Sequence, residues 1–153
     1  LSKEYIKDNE QKRTVFDSFN NGYYAGLNNS DELFIQESNL IKDLADKESC
    51  VIVGRCSNYI LRDHNNVVNV FIYAQMKEKI ARAVKYYNLK EKKAKEMIEK
   101  IDKQRASYFN FFTNMKWGRR ENYDLCINSS IGIEECTDLI IQYLKYRFPN
   151  ENI

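Results

Sequence analysis

Two short, continuous runs of apolar residues constrain the fold of this chain more than any other feature. The first is Cys50–Gly54 and the second is Val67–Tyr73. Neither run alternates regularly between apolar and polar residues, which is typical of strands covered on both faces in a parallel sheet. A third and weaker run, Tyr123–Asn128, has a similar composition. The sequence therefore predicts a parallel sheet that includes these three strands.

Helical patterns lie before and between these strands. Ser30 is a favourable N-cap, and the two acidic residues after it suit the positive end of a helix dipole, so a helix is predicted to begin there. After the second strand, apolar residues recur at helical spacing from Ile80 to Tyr87. Asn88 and Glu91 have the spacing of a capping box, which predicts the start of another helix.

The order of the elements indicates the fold class. A last helix is predicted from about Ile133 to the residues before Pro149, since proline cannot continue a helix. Strands that alternate with helices indicate an α/β fold with a parallel sheet. A chain of 153 residues is long enough to close one hydrophobic core. Residues 1–153 are therefore predicted to form a single domain.

Composition and charge argue against several classes of protein. The formal net charge of +2 is too small to indicate a nucleic-acid partner, and no apolar run approaches the ~20 residues that span a bilayer. The first residues lack the apolar stretch of a signal peptide, so the protein is predicted to be cytoplasmic. Because residue 1 is Leu rather than Met, a segment is expected to precede it in the natural protein.

The cysteines and the single histidine carry no metal-binding pattern. The four cysteines show no C-x-x-C spacing, and one histidine does not make a ligand cluster, so no metal site is predicted. Cys50 and Cys126 lie in apolar runs and are interpreted as small buried side chains. Reduced thiols suit the cytosol.

Charged residues near the ends of predicted elements are the first site candidates. Arg55 follows the first strand directly, and ligands of open α/β sheets bind beyond the carboxyl ends of the strands. Its guanidinium fits a contact with a phosphate or a base, and it fits equally a surface cap of the strand end. Asp102 and Arg105 are three residues apart on one predicted helix face. They form either an intrahelical ion pair or a pair that binds a polar ligand.

An aromatic segment and a cationic helix are the remaining candidates. Tyr108 begins a run with four aromatic residues in five positions, too many for one helix to bury against one core. These rings pack on other elements, stack on a ligand base with Tyr108 as the candidate, or form a contact between copies of the chain. Arg82 lies among lysines on a predicted helix. Such charges form either a solvated face or part of a lid over phosphates, for which the helices near 77–120 are the candidate.

Several segments, taken in order along the chain, resemble one known family. They are Val51–Cys56, Asn69–Ala74, Ile101–Tyr108, Trp117–Gly118, Tyr123–Ser130 and Gly132–Glu134. Together they are similar to the cytidylate kinase-like family of P-loop nucleoside-monophosphate kinases, over about residues 33–145. The resemblance implies a P-loop kinase fold, with a parallel sheet flanked by helices in three α/β/α layers. It also implies transfer of the γ-phosphoryl group of ATP to CMP or dCMP, with Mg²⁺.

The resemblance also implies roles on the acceptor side of the site. Arg55 matches the arginine that follows a central strand and contacts the acceptor nucleotide. Asp102 and Arg105 match a D-x-x-R pair near the acceptor and the transferring phosphoryl group. The resemblance adds little for Tyr108, which is a candidate to bind substrate by stacking on its base because of the aromatic run that it begins.

On the donor side the match is less complete. Arg82 falls in the helix that leads to the lid, where a cation is expected, and Asn128 with Ser129 matches the strand end that passes near the adenine. The family also has a Gly-rich phosphate-binding loop, but no G-x-x-x-x-G-K-[ST] motif occurs in this sequence. By the resemblance, that loop is expected upstream of Leu1.

Two other functions stay open on the sequence alone. A non-catalytic nucleotide-binding or protein-interaction domain on a kinase scaffold would use the aromatic residues and the lysine-rich helices as a partner surface. An RNA-binding module would need a basic groove with aromatic platforms. The near balance of positive and negative charges argues against the RNA-binding function.

Overall fold

The computed structural model describes residues 27–151, with side chains from residue 31 onward. These residues belong to two compact units, one ending at Val53 and the other beginning at Gly54. They form an α/β fold with a small parallel sheet and mostly helices. The single domain over residues 1–153 and the three-layer arrangement of a P-loop kinase stay predictions.

The first unit contains helix α1, Leu27–Lys47. Ile41 is buried, and the hydroxyl of Ser38 donates a 2.7 Å hydrogen bond to the carbonyl oxygen of Phe34 one turn earlier. The helix begins three residues before Ser30, so the start predicted at Ser30 is wrong. Serine is compatible with the first turn of a helix as well as with its cap, and the local pattern therefore does not determine the boundary.

The segment Cys50–Gly54 does not form the predicted strand. It belongs to no sheet in the described structure, and the side chains of Val51 and Val53 are 93% and 87% exposed. A strand exists only where its backbone N–H and C=O groups pair with a neighbour, whatever the apolar character of its side chains. Among residues 27–151 no strand pairs with this segment. The prediction of a first buried strand is therefore wrong for this structure.

The second unit opens with a tight left-handed turn. Gly54, Arg55 and Cys56 all have positive φ angles, of 75°, 53° and 56°. The Ser57 amide closes the turn with a 3.1 Å hydrogen bond to the Gly54 carbonyl oxygen, and the short helix α2, Ser57–Ile60, follows. Left-handed backbone costs a non-glycine residue about 1–2 kcal/mol. Burial of the Cys56 side chain offsets part of this strain.

The sheet of the second unit consists of two parallel strands, β1 (Val70–Tyr73) and β2 (Leu125–Asn128). The register aligns them from first residue to last, so their carboxyl ends lie side by side. Before the strands, the Asn69 carbonyl oxygen accepts a 2.8 Å hydrogen bond from the Asp124 amide. The Asn69 amide donates a 2.7 Å bond to the Asp124 carboxylate. The predicted second and third strands are confirmed as parallel strands, each shorter at its amino end. The prediction that the second strand is covered on both faces is wrong, because Ile72 and Tyr73 are 52% and 42% exposed.

Three longer helices complete the second unit. They are α3 (Met76–Tyr87), α4 (Glu91–Thr113) and α5 (Ile133–Arg147). Helix α3 packs against α4, and α5 packs against β2. The helices predicted around residues 80–87 and after residue 132 are confirmed as α3 and α5. No helix in the described part of the chain is both long and apolar enough to span a membrane.

The capping box lies at the start of α3 rather than at the start of α4. Gln75 is the N-cap of α3, and the Glu78 carboxylate accepts a 3.2 Å hydrogen bond from the Gln75 amide. Asn88 was predicted to begin α4, but it ends α3 with left-handed backbone at φ 50°, and Lys90 is the N-cap of α4. Asparagine tolerates this conformation, which is why it suits the end of a helix as well as the beginning.

The cysteines predicted to be buried are the exposed ones. Cys50 and Cys126 are exposed, whereas Cys56 and Cys136 are buried, and all four are free thiols. Cys50 is exposed because its segment is not part of a sheet. Cys126 is next to the buried Ile127 in β2, and successive side chains of a strand point to opposite faces. The interpretation of Cys50 and Cys126 as buried side chains is therefore wrong.

Aromatic rings cover one side of β1. The centroid of the Phe71 ring is 5.5 Å from that of Trp117 and 4.8 Å from that of Tyr123. Burial raises the pKa of the Tyr123 phenol, so this group stays neutral at physiological pH. Gly118 lies against the same ring, since a Cβ atom added to it would be 3.2 Å from Cζ of Phe71. Glycine at this position thus permits the close approach of the backbone to Phe71.

Replacing Gly118 with alanine should lower the free energy of unfolding by about 1–3 kcal/mol. The added methyl group would press on the Phe71 ring, and alanine at a φ angle of 70° is strained. Urea denaturation followed by circular dichroism measures the loss. Gly54→Ala is the matched control, because Gly54 has a φ angle of 75° but open space around the added methyl group. Equal losses in both variants would show that the contact with Phe71 adds nothing to the backbone strain.

Candidate functional site

Ser129 joins the ends of both strands to helix α3. It follows β2 directly, and its hydroxyl donates a 3.1 Å hydrogen bond to the carbonyl oxygen of Tyr73, the last residue of β1. Nη1 of Arg82, on α3, donates a 2.9 Å hydrogen bond to the same hydroxyl. Arg82 therefore lies at the carboxyl end of the sheet, where open α/β sheets bind their ligands.

A second set of contacts joins α3 to α4 through Asp102. Nζ of Lys79 donates a 2.6 Å hydrogen bond to Oδ2 of Asp102, and Nη1 of Arg105 is 3.6 Å from Oδ1. The side chains of Lys79 and Asp102 are only 29% and 24% exposed, and that of Arg105 is 48% exposed. The Asp102 carboxylate thus lies between two cations in a partly buried position.

Helix α3 places these two sets of contacts next to each other. Lys79 and Arg82 are three residues apart, so their side chains lie on one face of the helix. This face contacts Asp102 on α4 at one point and Ser129 at the strand ends at the other. We use the name cationic cluster for the group formed by Lys79, Arg82, Asp102, Arg105 and Ser129.

The cationic cluster has a net positive charge, because it contains three cations and one carboxylate: Lys79 and Arg105 contact Asp102, and Arg82 contacts Ser129. A fully exposed ion pair contributes only about 0–1 kcal/mol. In a partly buried pair each charge has lost part of its hydration, so it depends more strongly on its partner. The surplus of N–H donors and positive charge at the strand ends is suited to an anion such as phosphate, whose oxygens accept charge-assisted hydrogen bonds from lysine and arginine.

Three of the predicted site residues lie outside the contacts of the cationic cluster. Arg55 is exposed in the left-handed turn that opens the second unit. The half-buried ring of Tyr108 packs on Phe112, with centroids 4.7 Å apart. Asn128 ends β2, and its Oδ1 accepts a 3.2 Å hydrogen bond from the Ser130 amide. The roles in substrate and nucleotide binding that the sequence suggested for them stay predictions.

The contacts bring four predicted residues together and add Lys79, which the sequence did not single out. A signal was available, since Lys79 precedes Arg82 by three residues and so shares its helix face. Lys77 and Lys85 on the same helix are exposed. Only the contact with Asp102, more than twenty residues further along the chain, distinguishes Lys79 from them.

The cationic cluster does not provide a metal site by itself. In the part of the chain that the structure describes, no three His, Cys, Asp or Glu side chains come together. Both oxygens of Asp102 already face cations, so Asp102 does not fit the role of a magnesium ligand. In nucleotide sites Mg²⁺ is bound largely by substrate phosphates and water. A magnesium ion here would depend on the phosphates of a bound nucleotide.

The chain is similar to a known family and to a solved structure. The model of the cytidylate kinase-like family matches residues 1–131, which include all five members of the cationic cluster. The crystal structure of an uncharacterized protein from Eubacterium ventriosum ATCC 27560 has a TM-score of 0.72 and 37% sequence identity, over 75% of this chain and 73% of that chain. No curated protein matches the chain.

Replacing Ser129 with alanine should lower the free energy of unfolding by about 1–2 kcal/mol, because two hydrogen bonds are lost. These are the bond from Arg82 and the bond to the Tyr73 carbonyl oxygen. Thermal unfolding with calorimetric detection measures the change. The control is Ser130→Ala, whose exposed hydroxyl makes no hydrogen bond within the described residues. A similar change in both variants would show that Ser129 does not hold α3 to the strand ends.

Proposed function

Because this chain belongs to the cytidylate kinase-like family, we propose that it is a nucleoside-monophosphate kinase that phosphorylates CMP or dCMP with ATP. The observation that carries the proposal is the cationic cluster at the carboxyl ends of β1 and β2. Ligands of open α/β sheets bind at this edge. Cations at such a site offset the negative charge of phosphates during phosphoryl transfer.

The proposed reaction needs positioning and electrostatic stabilisation more than covalent chemistry. An oxygen of the CMP phosphate attacks the γ-phosphorus of ATP and forms a new P–O bond. The bond between the γ-phosphorus and the oxygen that bridges it to the β-phosphate breaks, so the products are CDP and ADP. Negative charge is spread over the oxygens of the transferred group. The proposed cofactors are ATP and Mg²⁺, and the ion neutralises phosphate charge when bound.

Arg82 and Arg105 are proposed to bind the oxygens of the reacting phosphates. Ser129 holds one end of the Arg82 guanidinium at 2.9 Å, which leaves its other N–H groups to face a ligand. Asp102 lies 3.6 Å from Arg105 and orients it. In this role Asp102 is close to the acceptor nucleotide, and fixed donors of this kind stabilise charge without reorganising during the reaction.

The remaining roles rest on similarity to the family, except that of Tyr108, which rests on the aromatic run that it begins. Arg55 is proposed to bind the acceptor nucleotide, and Tyr108 to contact its base. Asn128 and Ser129 are proposed to line the side of the site that takes the adenine of ATP. The helices within residues 77–120 are proposed to act as a lid. Variants of the cationic cluster should be tested first, followed by variants at these positions.

A second candidate function is a non-catalytic nucleotide-binding or protein-interaction domain on the same scaffold. Tyr86 and Tyr87 on α3 and Phe111 on α4 are large exposed apolar side chains, which are common where a protein binds a partner. A contact between two copies of the chain through the aromatic segment is one form of this function.

Replacing Arg82 with alanine should lower kcat for CMP about 100-fold, because a cation that offsets charge on the transferring group is lost. A coupled assay for ADP formation with ATP, Mg²⁺ and CMP or dCMP measures this change. Lys85→Ala is the control, since Lys85 is exposed on the same helix and its loss removes the same charge. It should leave kcat unchanged.

Calorimetric titration with CMP and with ATP separates the two candidate functions. A kinase binds both nucleotides and forms ADP, whereas a nucleotide-binding domain binds them without turnover. A protein-interaction domain binds neither. Absence of ADP formation by the purified protein would contradict the kinase proposal. Equal turnover with all common nucleoside monophosphates would contradict only the preference for CMP and dCMP.

A further inference from the structure

We propose that Lys79 is a phosphate-binding residue of the cationic cluster, which Asp102 holds in position until the phosphate of the acceptor nucleotide enters. On binding, the ammonium group of Lys79 turns from Oδ2 of Asp102 to a phosphate oxygen. The inference rests on the proposed kinase function only for the identity of the ligand that carries the phosphate. Its physical basis is the environment of Lys79 itself.

Lys79 lies in a partly buried position, and lysine side chains are seldom buried without a partner. Its side chain is 29% exposed, although an ammonium ion is strongly hydrated in water. Partial loss of that hydration is tolerated because Nζ lies 2.6 Å from Oδ2 of Asp102. An ammonium group has three N–H donors, and within the described residues the contact with Asp102 uses one of them. Two donors are therefore available to an anion.

The neighbouring cations have unused donors as well. Arg82 shares the helix face of Lys79, and its contact with Ser129 uses Nη1. Arg105 approaches the same carboxylate as Lys79, also through Nη1. Within the described contacts, Nη2 and Nε remain on both guanidinium groups. Two planar guanidinium groups and a compact ammonium group supply several N–H donors to a phosphate, which accepts hydrogen bonds on several oxygens.

The carboxylate of Asp102 explains how these cations coexist before a ligand binds. It lies between Lys79 and Arg105 and so offsets the repulsion between them. A phosphate dianion carries more charge than a carboxylate and has more acceptor oxygens, so it competes well for the same donors. Before a ligand binds, Asp102 therefore pairs with the cations in place of the anion. When the ligand binds, Lys79 exchanges the Asp102 carboxylate for the phosphate.

Titration calorimetry of the purified protein with inorganic pyrophosphate and with CMP tests the proposal. Lys79→Met should weaken the binding of both ligands about tenfold, the loss of roughly one charge-assisted hydrogen bond. Lys79→Arg should retain most of the affinity. The control is Lys77→Met, which removes the same charge from an exposed position two residues earlier on α3. Equal weakening by Lys77→Met and Lys79→Met would overturn the proposal, because the effect would then be one of overall charge.

An Asp102→Asn background separates direct phosphate binding from positioning of Asp102. If Lys79 binds the phosphate itself, adding Lys79→Met to Asp102→Asn still weakens pyrophosphate binding about tenfold. If Lys79 only orients Asp102, the second substitution has no effect, and the proposal is overturned. This double variant removes both charges of the Lys79–Asp102 pair, so Lys79→Met does not leave an Asp102 carboxylate without that partner. It therefore supplies the test even if Lys79→Met alone does not fold, which circular dichroism shows.

Failure of the kinase proposal and failure of this inference give different results. Pyrophosphate binding does not require turnover. A protein that forms no ADP, but whose Lys79→Met variant loses pyrophosphate affinity, contradicts the kinase proposal alone. A protein that forms ADP with CMP, but whose Lys79→Met variant binds pyrophosphate and CMP as the parent does, contradicts the role of Lys79 alone.

Discussion

The parallel pairing of β1 with β2 is the interaction on which the rest of the second unit depends. Its register ends both strands at one level, so the Tyr73 carbonyl oxygen and the Ser129 hydroxyl come within 3.1 Å of each other. Ser129 in turn receives Arg82 and so connects α3 to the strand ends. A register shift of one residue would turn each side chain of the shifted strand to the other face and break these contacts.

The Lys79–Asp102 pair adds charged side chains to this backbone arrangement, and the resulting site has a net positive charge. Helix α3 reaches the strand ends through Arg82 and reaches α4 through Lys79, so one helix face connects the sheet to the carboxylate. The Asp102 carboxylate lowers the repulsion between Lys79 and Arg105, and with Arg82 the cluster keeps a positive surplus. A carboxylate inside an anion-binding site therefore stabilises that site, provided that the bound anion can replace the carboxylate as the partner of one of the cations.

Local sequence patterns correctly predicted the helices and strands whose formation depends on residues close together in the chain. The amphipathic spacing of α3 and α5 and the apolar runs of β1 and β2 were identified correctly as helices and strands, because helix periodicity and apolar runs are visible in short stretches of sequence. Cys50–Gly54 has the same local pattern and forms no strand, since pairing needs a partner elsewhere. Asn88 ended a helix instead of beginning one, because the same residue type suits both positions.

By itself the sequence determined the alternation of strands and helices, the family, and the residue types available for an anion site. Arg82, Asp102, Arg105 and Ser129 were identified from it as candidates. Only the tertiary structure decided that Lys79 belongs with them while Lys77 faces solvent. The physical reason is that a charge acquires its role from the partner it meets, and Asp102 meets Lys79 through the packing of α4 on α3, which no pattern within either helix specifies.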